Sequence, residues 1–259
     1  LQLGNYICKE INGFFLCKSS MLYQFKKLFH VVTTRKVRIN GCSEELDFSL
    51  RNENSLKQFE YFLRFIGVEK KDVIFAEQVH GNRIECVKRR NLKDELNVIK
   101  GVDGLVTNEK GVFLITRFAD CIPIIAYDSK RNVVGVAHSG WKGTLFEISK
   151  QLILKMNGEY GCFPEDIFVS LGPSIGPQSF EVKEDVLKMF YEKFGDGYIR
   201  RTNELTYINL WKIVEDQLSE VGVRNIEISM VDTVSFNDYF YSYRKEKKFK
   251  RFAVIVGLL

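Results

Sequence analysis

Between Thr116 and Gly143 the chain reads TRFADCIPIIAYDSKRNVVGVAHSGWKG. Two apolar runs, Ile122–Tyr127 and Val133–His138, flank a polar break, so the stretch has the pattern of strand, turn, strand. Cys121 stands at the mouth of the first run and His138 ends the second. A cysteine and a histidine presented from neighbouring strand ends can share a metal ion or form a nucleophile–base pair.

Outward from this stretch, strands dominate. Gly104–Thr107 and Val112–Phe118 precede it as further strand candidates, and Thr144–Met156 follows with helical spacing of Leu145, Ile148, Leu152 and Met156. Nearer the start, Tyr6–Cys8 and Phe14–Lys18 flank Asn12-Gly13, a dipeptide that favours a type I′ hairpin. The β-branched His30–Thr34 reads as a strand, with a polar loop from Arg35 to Asp47 after it. Asn54 and Ser55 offer caps to a helix over Leu56–Phe65, which Gly67 stops. Val73–Val79 reads as a strand running into His80-Gly81, with Arg83–Val87 as its return.

Downstream, Phe168–Leu171 is a strand leading to the rigid turn Gly172–Pro177. Helices are expected near Lys183–Phe194 and Asn209–Val221, and strands near Ile226–Val231, Tyr239–Tyr243 and Phe252–Leu258. Strands that succeed one another, with helices in batches, predict an α+β fold with helices packed outside sheets. No internal repeat, linker composition or shift in composition marks a boundary, so residues 1–259 are expected to form one domain.

The net charge of +5 is mild for 259 residues and is not the footprint of a nucleic-acid binder. The densest basic run, RKEKKFKR at Arg244–Arg251, is interrupted by Glu246 and reads as a solvated hairpin turn. Six cysteines are scattered without a C-x-x-C pair in a chain long enough not to need disulfide staples, so free thiols in a reducing cytoplasm are expected. The first residues lack the pattern of a secretory leader, and no apolar run approaches membrane-spanning length. Neither G-x-G-x-x-G nor G-x-x-x-x-G-K-[ST] occurs, which gives no support to dinucleotide or P-loop binding.

Only three histidines are present, His30, His80 and His138, and any nitrogen-ligated metal must draw on them. His80 and His138 end strand patterns beside glycine or serine, as Cys121 begins one, and side chains at such termini commonly line pockets. Two imidazoles and a thiolate would leave a fourth tetrahedral position open, as in a catalytic zinc site. Their spacings match no local zinc signature, so the fold would have to assemble them. His30, at the start of an apolar strand, is expected to be structural. A buried Cys121 and a satisfied core His138 remain the plain alternative.

Gln78-Val79-His80-Gly81, Asp103-Gly104-Leu105-Val106-Thr107, Ala119-Asp120-Cys121-Ile122-Pro123, His138-Ser139-Gly140-Trp141-Lys142-Gly143 and Gly172-Pro173-Ser174-Ile175-Gly176-Pro177 occur in this order. Together with Thr33-Thr34-Arg35 and Phe240-Tyr241-Ser242-Tyr243-Arg244, they resemble the YfiH-like laccase-domain family over nearly the whole chain after about residue 30. That family was once described as multicopper polyphenol oxidases and is now described as purine nucleoside phosphorylases.

The resemblance implies a zinc held by His80, Cys121 and His138, with copper possible in the same site. It implies a two-layer β core flanked by helices, an αββα-type sandwich that the family shares with toxin deamidases of the cytotoxic-necrotizing-factor kind. It also implies phosphorolysis of adenosine, inosine and S-methyl-5′-thioadenosine to base and ribose 1-phosphate, with adenosine deamination, by a monomer or homodimer. Phosphate must be held by basic groups, for which Arg35, Arg117, Lys142 and Arg244 are candidates, while Asp120 is a candidate for orienting a ligand or moving a proton. Lys142 stands where the family commonly has Arg and lacks its bidentate fork. Ser139 replaces a usual Ala, Phe118 a usual Thr, and Asp232 a usual Cys. Several coppers would need far more imidazoles than three, so weak polyphenol oxidation at most is expected. A metal-free cysteine hydrolase or deamidase using Cys121 and His138, and a non-catalytic nucleoside-binding module, are the rival readings.

Overall fold

The structure is a computed structural model, and it describes residues 1–39, 41–89, 92, 96–202 and 204–259. Among these residues the strands form sheets of nine, six and three. The large sheet runs Gln2–Leu3, Tyr6–Ile11, Phe14–Ser19, Leu28–Ile39, Phe252–Leu258, Phe113–Phe118, Val73–Ala76, Asn97–Ile99, with Cys42–Glu45 paired onto Leu28–Ile39. The second sheet runs Asn225–Ile228, Ile167–Leu171, Ile122–Asp128, Val133–Ser139, Gly104–Thr107, Ile84–Cys86. A small third sheet joins Glu181–Val182, Thr206–Ile208 and Ile199–Arg201.

Side-chain alternation along the central strands explains the layering, because successive residues of a strand face opposite sides. Leu114, Val254 and Val256 of the large sheet meet Leu105, Ile125 and Val136 of the second sheet in one buried cluster. Their neighbours Phe113, Ile115, Ala253 and Ile255 point the other way, onto Phe59, Phe62 and Leu63 of the helix Glu53–Ile66. On the far side of the second sheet, Ile124, Ala126 and Val169 pack against Leu152 and Met156 of Ile148–Tyr160 and Val214 and Leu218 of Leu210–Glu220. The order is therefore helix, sheet, sheet, helices, the αββα sandwich expected from the resemblance.

Local signals act as their chemistry dictates. Asn12 and Gly13 both adopt positive φ, as a type I′ turn requires. The Glu53–Ile66 helix is capped by Asn52, whose side chain accepts from Ser55 N in a capping box, two residues ahead of the expected cap, and it ends at left-handed Gly67.

Other expectations fail. The polar Arg35–Asp47 is not a loop but continues the strand to Ile39 and returns as Cys42–Glu45, where opposite charges such as Lys36 and Glu45 stand opposite each other. The helix expected over Thr144–Met156 is two helices, Trp141–Leu145 and Ile148–Tyr160, broken at left-handed Glu147. Residues 239–242 are irregular rather than a strand and Tyr243–Glu246 is a short helix, so the basic run that begins in it is not a hairpin. Cys8 and Cys17, expected as free thiols, are directly opposed across the first hairpin and joined in a disulfide.

The largest departure concerns Val73–Ala76 and Ile84–Cys86, expected as a hairpin. They lie in different sheets. The segment between them crosses from one layer to the other, as does Ala119–Cys121 between Phe113–Phe118 and Ile122–Asp128. Val73–Ala76 and Phe113–Phe118 are parallel neighbours, so both crossovers leave from strand C-termini at the same end of the large sheet.

Candidate functional site

The two crossovers supply His80 and Cys121. His138 comes from the strand antiparallel to Ile122–Asp128, where it opposes Pro123 while Ser139 opposes Ile122. The ligand atoms of His80, Cys121 and His138 lie within 4.8 Å of one another. The imidazole rings of the two histidines meet edge to face at 4.8 Å between centroids. Gly140 closes the group from behind: a Cβ there would sit 3.1 Å from both the Cys121 Sγ and the His80 ring.

Unusual backbone marks both crossovers. Gln78, His80 and Asp120 have φ of 65°, 63° and 84°, a region that residues with a Cβ rarely occupy. Specific bonds hold it. The Gln78 side chain donates to Arg117 O at 2.7 Å and accepts from Arg117 N at 2.9 Å, tying the His80 segment to the end of the neighbouring strand. The Asp103 carboxylate accepts from the main-chain N–H of Val79, His80 and Gly81 at 3.2, 2.9 and 2.7 Å.

Asp103 also grips His138. Its Oδ1 lies 2.9 Å from Nδ1, and its carbonyl accepts the His138 main-chain N–H at 2.7 Å. An ionised carboxylate only accepts, so Nδ1 carries the proton and Nε2 is the nitrogen left to serve the site. Burial works against the Asp103 charge, but His138 and the Gly81 and His80 amides hold its carboxyl below the ordinary aspartate range. Burial likewise opposes a charged His138, yet the Cys121 sulfur and Asp103 raise it to about 9. Cys121, against its own burial, is drawn down to about 6 by His138 and His80. The pair is thus poised as a Cys121 thiolate beside a His138 imidazolium.

The trio opens onto a cavity of about 600 Å³. Among the expected substrate residues, Arg117 and Arg244 line it, as does Asp120. Asp120 is engaged on both oxygens, accepting from the Thr233 hydroxyl at 2.7 Å and from Arg244 N at 2.6 Å. The Arg244 guanidinium donates to Glu181 O at 2.9 Å and Ser179 O at 3.2 Å. Arg35 lies elsewhere, ion-paired with Glu45 and Glu246 and stacked over Tyr241. Lys142 is not among the lining residues and lies over the Trp141 ring. His30 is not among the trio's neighbours but on the Leu28–Ile39 strand, and among the described residues neither ring nitrogen has a partner in hydrogen-bond geometry.

Sequence reasoning missed Asp103, Gln78, Arg51 and Arg251. The first two sit inside motifs that carry the resemblance. Arg251 belongs to the basic run read as solvated, which instead sends Arg244, Lys247, Phe249 and Arg251 to the cavity wall.

A family model described as multi-copper polyphenol oxidoreductase laccase matches residues 30–259. The chain is 30% identical over 218 residues to the purine nucleoside phosphorylase YlmD of Bacillus subtilis, covering 80% of this chain and 78% of that one. It is 32% identical over 242 residues to a purine nucleoside phosphorylase of Staphylococcus epidermidis, covering 87% and 90%. Among solved structures, YlmD from Geobacillus stearothermophilus superposes with a TM-score of 0.85 at 25% identity, covering 98% and 99% of the two chains. YfiH from Bacillus licheniformis, at 24% identity and a TM-score of 0.83 over 97% and 99%, shares the fold.

Proposed function

The chain belongs to the multi-copper polyphenol oxidoreductase laccase family, and from that premise we propose that it is a zinc-dependent purine nucleoside phosphorylase. Its substrates would be adenosine, inosine and S-methyl-5′-thioadenosine, cleaved to base and ribose 1-phosphate, with adenosine deamination as a further activity. The observation that carries this reading is the convergence of His80, Cys121 and His138 on the cavity wall. The relatives named as purine nucleoside phosphorylases support the choice of substrate class.

Two imidazoles and one thiolate suit zinc, and copper could take the same donors, with one position left for a water or substrate atom. Bound there, the ion would supply Lewis acidity toward water or a substrate atom. Cys121 and His138 Nε2 would hold it, with His80 as the third ligand. Asp103 keeps the His138 proton on Nδ1 and fixes the His80 segment. Trp141, Phe180, Tyr243 and Phe249 offer aromatic walls to a purine in the cavity. In phosphorolysis a phosphate oxygen bonds the ribose carbon as the bond to the base breaks, and the base leaves with a proton. Asp120 positions Arg244 at the wall through its bond to the Arg244 N–H. To move a proton it would have to release that bond or the Thr233 hydroxyl. Three histidines are too few for a multicopper cluster, so polyphenol oxidation is at most a weak side reaction.

The low-lying Cys121 thiol beside His138 favours one rival, a metal-free cysteine hydrolase. Elemental analysis of the purified protein, combined with chromatography of inosine and adenosine digests with and without phosphate, separates the two. Zinc near one per chain, with phosphate-dependent release of hypoxanthine and ribose 1-phosphate that is lost in Cys121→Ala, is expected. A metal-free, chelator-resistant enzyme inactivated by alkylation at Cys121 would sink the zinc reading.

A further inference from the structure

The cavity wall beside the trio carries guanidinium groups whose charge no described residue neutralises by contact. Arg51, Arg117 and Arg251 all line the cavity, and among the described residues none of them forms an ion pair. Arg117 makes one side-chain hydrogen bond, 3.3 Å to Ser49 O, and its guanidinium lies 5.5 Å from the Phe75 ring centroid. Arg251 makes one, 2.8 Å to Lys250 O. Arg51 stacks at 4.6 Å on Phe249. A guanidinium has five N–H donors in a planar fork, so each group retains donors that no described residue takes.

The position of this cluster follows from the topology. Arg117 is the penultimate residue of the strand whose crossover delivers Cys121, and Arg251 immediately precedes the antiparallel partner strand, in which Phe252 opposes Phe118. Arg251 is close enough to feel the Cys121 sulfur, Asp120 and Asp47. Burial, together with the like charge of the other arginines, makes the protonated states of Arg117 and Arg251 less favourable than usual. Arginines crowded in this way are tolerated where an anion relieves them. The half-buried Arg35 is the contrast, since Glu45 and Glu246 neutralise it internally.

We propose that Arg51, Arg117 and Arg251 form a phosphate subsite adjoining the His80–Cys121–His138 trio, where paired guanidinium forks bind a phosphate dianion. Such forks match phosphate oxygens in bidentate geometry. The dianion is either inorganic phosphate, as the phosphorolysis reading requires, or the phosphate of a nucleoside monophosphate. Only the role of the anion as a co-substrate rests on that reading. Arg244 is not part of the subsite, because Ser179 O and Glu181 O already take its guanidinium.

Calorimetric titration of the purified full chain with sodium phosphate, adenosine 5′-monophosphate and inosine tests this, alongside the kinetics of inosine cleavage against phosphate concentration. Arg117→Gln and Arg251→Gln are expected to weaken phosphate binding about 10–100-fold each, with inosine affinity unchanged. Arg117→Lys, which keeps charge but not the fork, should fall between. Arg51→Gln lies on an exposed side chain and tests the proposal even if a buried variant fails to fold. Arg200→Gln, remote on the third sheet, controls for net charge.

Equal phosphate affinity in wild type and all three glutamine variants would overturn the subsite. If inosine cleavage needs phosphate but its KM for phosphate is unmoved by these variants, the subsite fails while the phosphorylase reading stands. If the variants lose affinity for the monophosphate, and inorganic phosphate neither binds nor stimulates, the subsite stands and phosphorolysis fails.

Discussion

His30 and His138 are both strand residues, 2% and 3% exposed, yet their surroundings drive them in opposite directions. His138 has Asp103 on one nitrogen and Cys121 facing the ring, and it is raised to about 9. Among the described residues, His30 has no partner in hydrogen-bond geometry on either nitrogen. Burial first, then the charge of Lys18, push it down to about 3 against a small pull from the Ser19 backbone. Equal burial thus produces a structural residue in one place and a chemical one in the other. What differs is the position in the topology. His30 sits within a strand of the large sheet, while His138 lies at a strand end beside the crossovers, where main-chain donors and other side chains converge.

The sharpest way to break that comparison is to remove the partners that make His138 chemical. His138→Ala deletes one of three donors and should leave purified protein with almost no zinc, and no phosphate-dependent release of hypoxanthine. His30→Leu should leave both intact. Equal metal content in the two variants would contradict the assignment.

Asp103→Asn is subtler, because the amide preserves shape while removing the charge that holds the His138 proton on Nδ1 and gathers the three amides of the His80 segment. Loss of such an outer partner typically costs about 10–100-fold in metal affinity. Competition with a chromogenic chelator measures it, and a shift below threefold would show that the backbone alone positions the ligands.

Much of this contrast is legible in the sequence, because the three donors are rare residue types at strand ends, and scarcity leaves few ways to combine them. The layering is legible too, since near-continuous apolar runs such as Phe113–Phe118 require two buried faces. What cannot be read is which sheet a short apolar strand joins. Val73–Ala76 and Ile84–Cys86 carry no pattern distinguishing a hairpin from a crossover, and the site's geometry depends on the crossover. Charge misleads for a related reason. Arg35 looks as available as Arg117 in sequence, and only distant Glu45 and Glu246 reveal it as internally paired. The run Arg244–Arg251 reads as solvated because nothing local says that Arg251 turns inward beside Cys121. The Cys8–Cys17 bond was obscured by chain length, an argument about need that does not bear on two cysteines facing each other in a hairpin.

The smallest effect sharpens the other side of the comparison. With its folded pKa near 3 and an unfolded value of about 6.5, His30 takes up a proton only on unfolding throughout the intervening range. The unfolded state then binds more protons, so stability rises with pH across this window and is lost as pH falls through it. Acidification from pH 7.5 to 5.5 should therefore cost about 1.4 kcal/mol through this residue alone. His30→Leu should remove that increment, because no described residue holds the imidazole in a hydrogen bond of good geometry. Urea unfolding of the two proteins at both pH values measures the difference of differences, which cancels the titration of His80, His138 and the carboxylates. A wild type and variant that lose stability in parallel would mean that His30 is already paired, through a partner such as a buried water, and the contrast with His138 would narrow to the identity of the partner.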